Sequence, residues 1–154
     1  MRAILGGRRK SDFGRINVKL EGALLEIPHK HRILYSPSGR YILKKSREEA
    51  RDYHPYLALY TREKWVQEVL LRQQNGMDLV SFLNDKIELD ALVANGVHFL
   101  NLSEDFLRYL KVRENSIITV LRSGWPGLEL WKPSEFKKYE TIERYALGLE
   151  KVLH

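Results

Sequence analysis

The chain has 154 residues, of which 44% are hydrophobic and 30% charged, and its formal net charge is +6. This length fits one domain or two very small ones. The composition is not that of a disordered chain. The apolar runs are too short for a membrane-spanning helix, and we expect no signal-peptide core at the start. With no cysteine in the sequence, disulfide frameworks, thiolate zinc sites, iron–sulfur clusters and cysteine nucleophiles are excluded.

Positive charge is concentrated in the first third of the chain. Residues 1–51 carry 13 Lys or Arg and five Asp or Glu, whereas residues 52–154 carry 13 and 15. This asymmetry indicates a polyanion partner, or a solvated basic surface with no ligand. Residues 1–17 are predicted to form a basic arm or an edge strand. The predicted nucleic-acid contacts come from three clusters: Arg8, Arg9, Lys10, Arg15 and Lys19; Lys30 and Arg32; Lys44, Lys45 and Arg47.

The first half of the chain predicts three strands and a helix. Short apolar runs bounded by Gly and Pro predict strands at 23–28, 41–43 and 55–60. Thr61 is a suitable N-cap for a helix that runs to about residue 74, and the following Asn-Gly pair supplies its left-handed end. The apolar face of this helix is predicted to hold Trp65, Val66, Val69 and Leu70.

Residues 126–136 repeat the pattern of residues 55–65 at an offset of 71. Each copy has two leucines in strand alternation, an aromatic at the strand end, two polar residues and an aromatic inside a helix. The second half also predicts two strands, a short helix capped by Ser103, and a C-terminal helix from about Ser134 to Val152. The apolar stripe of that last helix could pack on its own domain or line a partner helix.

The histidines do not predict a metal site. His29 and His31 are expected to alternate on a strand and to share one face, but no third ligand is close in sequence. His98 lies in an apolar run and is predicted to be a half-buried strand residue rather than a catalytic base. Because no nucleophile, base or cofactor motif emerges, we expect neither an enzyme nor a cofactor or small-molecule substrate.

The order of elements resembles the MraZ family, small regulators of the bacterial division and cell-wall gene cluster. The resemblance covers roughly residues 18–140 and is carried by segments 27–32, 56–65, 102–110, 117–121 and 128–136. It implies an α+β, mainly β fold, in which tandem swapped-hairpin AbrB-like halves at 18–76 and 77–154 form one pseudo-two-fold barrel. A helix would follow each half. The resemblance also implies a homo-oligomer that binds double-stranded DNA at the nucleoid, in the bacterial cytoplasm.

The DNA-reading element of that family is missing from both halves. The element is an Asp, three further residues and an Arg. Counting back from Pro28 places Leu20 and Leu24 at these two positions, and counting back from Ser103 places Asn95 and Phe99 there. Residues 12–15, Asp-Phe-Gly-Arg, resemble a shortened element, but they lie far from the Ile-Pro strand, and an accidental likeness is favoured.

The predicted function is therefore that of a DNA-binding transcriptional regulator that contacts phosphates through its basic N-terminal third. One alternative is an MraZ-like protein that has lost DNA binding and acts through protein contacts, which the loss of both arginines favours. The other alternative is an RNA-binding accessory protein.

Overall fold

The computed structural model describes residues 14–46, 54–84, 86–122 and 127–153. The strands of these residues are β1 (Ile16–Lys19), β2 (Leu24–Glu26), β3 (Arg40–Lys45), β4 (Tyr56–Thr61), β5 (Lys86–Asp90), β6 (Leu92–Ala94), β7 (Val97–Asn101), β8 (Ile117–Arg122) and β9 (Leu128–Trp131). The helices are a 3₁₀ helix (His29–Leu34), α1 (Arg62–Gln74), α2 (Leu79–Leu83), α3 (Glu104–Leu110) and α4 (Pro133–Leu153). The prediction of an α+β, mainly β fold is confirmed.

All strand pairs are antiparallel, and they form two sheets. The larger sheet has the order β1-β8-β9-β4-β3-β5, and the smaller one has the order β2-β7-β6. Strand β1 from the first half pairs with β8 from the second, and β5 from the second half pairs with β3 from the first. Both sheets are therefore built from both halves of the chain.

The pairing between the halves is reciprocal. Ala58 on β4 lies opposite Glu129 on β9, and these two positions are separated by the 71 residues of the sequence repeat. In the smaller sheet, Leu25 lies opposite Leu100. The flanking backbone bonds are also matched, with Ile27 N donating to His98 O and Leu102 N donating to Ala23 O, both at 2.9 Å.

The larger sheet is covered on both faces. One face packs against the smaller sheet and α3 in a core that includes Leu25, Leu57, Leu100, Leu110 and Leu130. The other face packs against α1 and α4, where the aromatic side chains of Tyr60, Trp65, Trp131 and Phe136 gather. Because both faces are covered, β4 and β9 are almost entirely buried.

The predicted helix caps are present. Thr61 Oγ1 accepts a hydrogen bond from Lys64 N at 3.1 Å, and Ser103 Oγ accepts one from Phe106 N at 3.4 Å. The chain turns away from α1 at Gly76, whose φ is +65°. The predicted apolar face of α1 is only partly correct, because Trp65 is buried while Val66 and Leu70 are 45% and 51% exposed.

The predicted strand at His29 and His31 is wrong. Pro28 has an extended backbone, and its carbonyl accepts a hydrogen bond from His31 N at 2.8 Å, which starts the 3₁₀ helix. As a result His31 is buried and His29 is exposed, so the two rings do not share a face.

The helix prediction near the C-terminus is confirmed, although its apolar stripe is only partly covered. Phe136 is buried, whereas Ile142 and Tyr145 are 40% and 69% exposed. In the part of the chain that the structure describes, no helix has the length and apolar character needed to span a membrane.

Candidate nucleic-acid interface

The ten predicted contact residues fall into three groups. Arg8, Arg9, Lys10 and Arg47 lie outside the described residues. Lys19, Lys30 and Arg32 are exposed, at the end of β1 and along the 3₁₀ helix. Arg15, Lys44 and Lys45 have their side chains engaged with other parts of the protein.

Lys19 and Lys30 line the same cleft. This cleft has a volume of about 470 Å³ and runs along β1, with β2, Pro28 and Phe99 forming its other walls. His29 and two carboxyl groups, those of Glu21 and Glu26, also line it. The fold therefore brings together lysines from two of the predicted basic clusters, and Glu21 and Glu26 give the same cleft an equal number of acids.

The backbone of β1 adds hydrogen-bonding groups to this cleft. Leu20 N donates to Ser116 O, and because every second residue of an antiparallel strand bonds to the same neighbour, Val18 and Ile16 also bond to β8. The N–H and C=O groups of Asn17 and Lys19 then point away from β8, and both residues line the cleft. Backbone N–H groups are common donors to phosphate oxygens, so Lys19 offers two kinds of contact at this position.

Three of the predicted contact residues also make contacts within the protein. Arg15 Nη1 lies 3.6 Å from Glu140 Oε2 and its guanidinium packs over the Phe136 ring. Lys45 Nζ lies 2.9 Å from an Asp105 carboxyl oxygen. Lys44 is only 5% exposed, and its ammonium donates to Asn84 O at 3.1 Å. Lys44 is therefore not placed on the surface for a phosphate.

His31 joins the start of β1 to the 3₁₀ helix. Its Nε2–H donates to Gly14 O at 2.8 Å, and a Cβ at Gly14 would stand only 2.8 Å from the His31 ring, so this position with φ +67° requires glycine. Burial lowers the pKa of His31, and the nearby charges of Arg122 and Lys30 lower it further. Arg122, exposed at the end of β8, is a cation near His31 that the sequence patterns did not single out.

His98 is the second buried histidine. Tyr41 Oη lies 2.7 Å from His98 Nδ1 and accepts a hydrogen bond from Ser36 N. Tyr35 stacks on the imidazole at 4.3 Å. Burial lowers the pKa of His98 as well. These contacts suit a neutral, structural imidazole.

We expect acid to destabilise the protein through these two rings. Because their folded-state pKa values lie below 6.5, the unfolded chain binds more protons than the folded one just below that pH. The free energy of unfolding should be constant above about pH 6.5 and should fall below it, by up to about 1.4 kcal/mol per pH unit for each ring. Urea unfolding at a series of pH values measures this slope.

The variants His31→Gln and His98→Gln should each reduce the slope, whereas His29→Gln, at an exposed ring, should leave it unchanged. An equal slope in all three variants would contradict the assignment to the buried histidines.

The described residues contain no group of three or more His, Asp or Glu side chains arranged to hold a metal ion. Neither a protein-family model nor a curated protein matches this sequence. The functional hypothesis therefore depends on the surface chemistry of this chain alone.

Proposed function

We propose that this chain binds double-stranded DNA through its phosphates and acts as a transcriptional regulator at the bacterial nucleoid. The observation that carries the proposal is the placement of Lys19 and Lys30, from separate basic clusters, in one cleft, with Arg32 exposed on the same 3₁₀ helix as Lys30. Within the described residues, none of these three side chains forms a salt bridge, and Glu21 and Glu26 share the cleft with the two lysines. The remaining contacts would come from Arg8, Arg9, Lys10 and Arg47.

The proposal includes a swapped-hairpin barrel of the MraZ type. In such a fold each half lends its first strand to the other half. The exchange of β1 and β5 between the halves supports this resemblance, since β1 pairs with β8 and β5 pairs with β3. The reciprocal bonds Leu20 N to Ser116 O and Ala91 N to Gly39 O support it further. A homo-oligomer, also part of the resemblance, is proposed with it.

The proposed binding is weakly selective for sequence. At the positions of the family's Asp and Arg, Leu20 is fully buried and Leu24 is half-buried, while Asn95 lies in the β6–β7 turn and Phe99 lines the cleft. Leu20, Leu24 and Phe99 have no hydrogen-bonding side chain, and none of the four positions carries a guanidinium to pair with guanine. Phosphate contacts give affinity and register without direct sequence information.

The triple variant Lys19→Ala/Lys30→Ala/Arg32→Ala tests this proposal. If each side chain neutralises one phosphate, the slope of log K against log salt for duplex DNA should become less negative by about 2.7. Binding should also weaken strongly at low salt. Fluorescence anisotropy with a labelled duplex, titrated at several salt concentrations, measures both quantities.

The matched control is Lys64→Ala/Lys132→Ala/Lys137→Ala, which removes the same charge from α1 and from the start of α4. Its slope should stay close to that of the wild type. An equal loss in both triple variants would show that net charge, and not the cleft, drives binding. No complex at low salt would remove the proposal, and preferential displacement by RNA would favour an RNA-binding role.

A second candidate function is action through protein contacts without DNA. Exposed apolar side chains favour it, including Val80 at 72%, Leu92 at 61% and Tyr145 at 69% exposure. The missing family arginines favour it too. Co-purification with a DNA-binding homologue, together with no DNA complex of its own, would support this role.

A further inference from the structure

Strand β5 is an open edge of the larger sheet. Among the described residues it pairs with β3 alone. Ala91 N donates to Gly39 O at 2.7 Å. In an antiparallel pair every second residue of a strand hydrogen-bonds to its partner strand, so Leu89 and Ile87 are the residues of β5 that bond to β3. The N–H and C=O groups of the alternate residues Lys86, Glu88 and Asp90 then point outward. An edge of this kind can accept another strand.

Apolar side chains surround this edge and remain exposed. Ile87 is 37% exposed on β5 itself, and Leu83 at the end of α2 is 38% exposed. On β6, directly after β5, Leu92 and Val93 are 61% and 51% exposed. Exposed apolar side chains next to unpaired backbone groups are typical of a protein interface.

The charges of β5 are complementary to those of a second, antiparallel copy of β5. In a register centred on Glu88, Lys86 of each copy lies opposite Asp90 of the other, and Ile87 lies opposite Leu89. Residues 86, 88 and 90 are the outward-bonding ones, so this register also aligns three pairs of backbone groups. The two Glu88 side chains would meet at the centre, but each already has Arg62 Nε at 3.1 Å. Asp90 has Arg40 Nε at 3.7 Å in its own copy and would be shared with Lys86 of the other.

We infer that two copies of this chain associate through β5, in an antiparallel pair around a two-fold axis at Glu88. The larger sheet then continues from one copy into the other, and Ile87 of each copy packs beside Leu89 of the other. Because β1 is the opposite edge of the sheet, the cleft of Lys19 and Lys30 stays open in each copy. This inference rests on the homo-oligomer of the proposed function, to which it gives an interface, and it does not depend on the proposed DNA binding.

Charge reversal tests the register. Lys86→Asp places two pairs of acids across the axis, and Asp90→Lys places two pairs of lysines there. Each single variant should weaken the dimer about tenfold or more, because two attractive cross-strand pairs become repulsive. The double variant Lys86→Asp/Asp90→Lys should restore the affinity to near the wild-type value. Sedimentation velocity over a range of protein concentrations measures the dissociation constant.

The control is Lys137→Glu, an exposed charge on α4, which should leave the dissociation constant unchanged. Hydrogen exchange gives a readout independent of any variant, because the outward amides of Glu88 and Asp90 should gain protection as protein concentration rises. A wild-type protein that stays monomeric at all concentrations would overturn the inference. An oligomer of any size that neither single reversal weakens would overturn it as well.

Discussion

Replacing Leu100 by alanine is expected to lower the free energy of unfolding by about 3–5 kcal/mol. Leu100 on β7 is fully buried and lies opposite Leu25 on β2, which is also fully buried. This pair joins the two halves of the chain at the centre of the smaller sheet. Truncation removes buried apolar surface and leaves a cavity that the surrounding strands cannot fill without breaking their register.

Because both sheets contain strands from both halves, the Leu100→Ala variant should still unfold in one transition. Urea unfolding followed by far-ultraviolet circular dichroism and by tryptophan fluorescence measures the loss, and the two probes should coincide. The control Leu71→Ala, at a 52% exposed position on α1, should change stability by less than about 0.5 kcal/mol. Separate transitions for the two probes would contradict the joint unfolding of the halves.

Features that depend on neighbouring residues could be predicted from the sequence. Thr61 and Ser103 cap helices because their hydroxyl groups reach amides three residues ahead. The repeat at an offset of 71 also predicted the strand–helix units that became β4–α1 and β9–α4, because short apolar alternation followed by a cap is a local signal.

Features that depend on distant residues could not be predicted in the same way. Lys44 belongs to an ordinary basic cluster in the sequence, yet its ammonium is buried against the carbonyl of Asn84, 40 residues away. Strand β5 was not predicted, although Ile87 and Leu89 do alternate with charged residues. Its place beside β3 follows from the exchange between the halves, which no local pattern encodes.

In the candidate interface, too, the overall charge could be predicted from the sequence, but the contacts between distant residues could not. Net positive charge in the first third of the chain is visible in the composition, but composition cannot separate free cations from paired ones. Arg15 and Lys45 find carboxylates on α4 and α3. Lys19 and Lys30 remain in the cleft because the 3₁₀ helix, predicted as a strand, carries Lys30 toward β1.

Replacing Glu129 by alanine is expected to lower the free energy of unfolding by about 3 kcal/mol. Glu129 is fully buried on β9, opposite Ala58, and its Oε1 accepts a hydrogen bond from Trp131 Nε1 at 2.9 Å. The alanine variant removes this acceptor from a buried indole N–H and leaves a cavity under α1 and α4. Glu129→Gln keeps an oxygen in the same place and should cost distinctly less.

A double-mutant cycle separates the hydrogen bond from the cavity. Trp131→Phe removes the indole N–H while keeping an aromatic ring against Tyr56 and Phe136. In that background the cost of Glu129→Ala should be smaller by about 1–2 kcal/mol, which is the coupling between the two side chains. Urea unfolding of the four proteins measures it. Additive costs would mean that this buried bond adds nothing to stability and that Glu129 acts through packing or its other contacts alone.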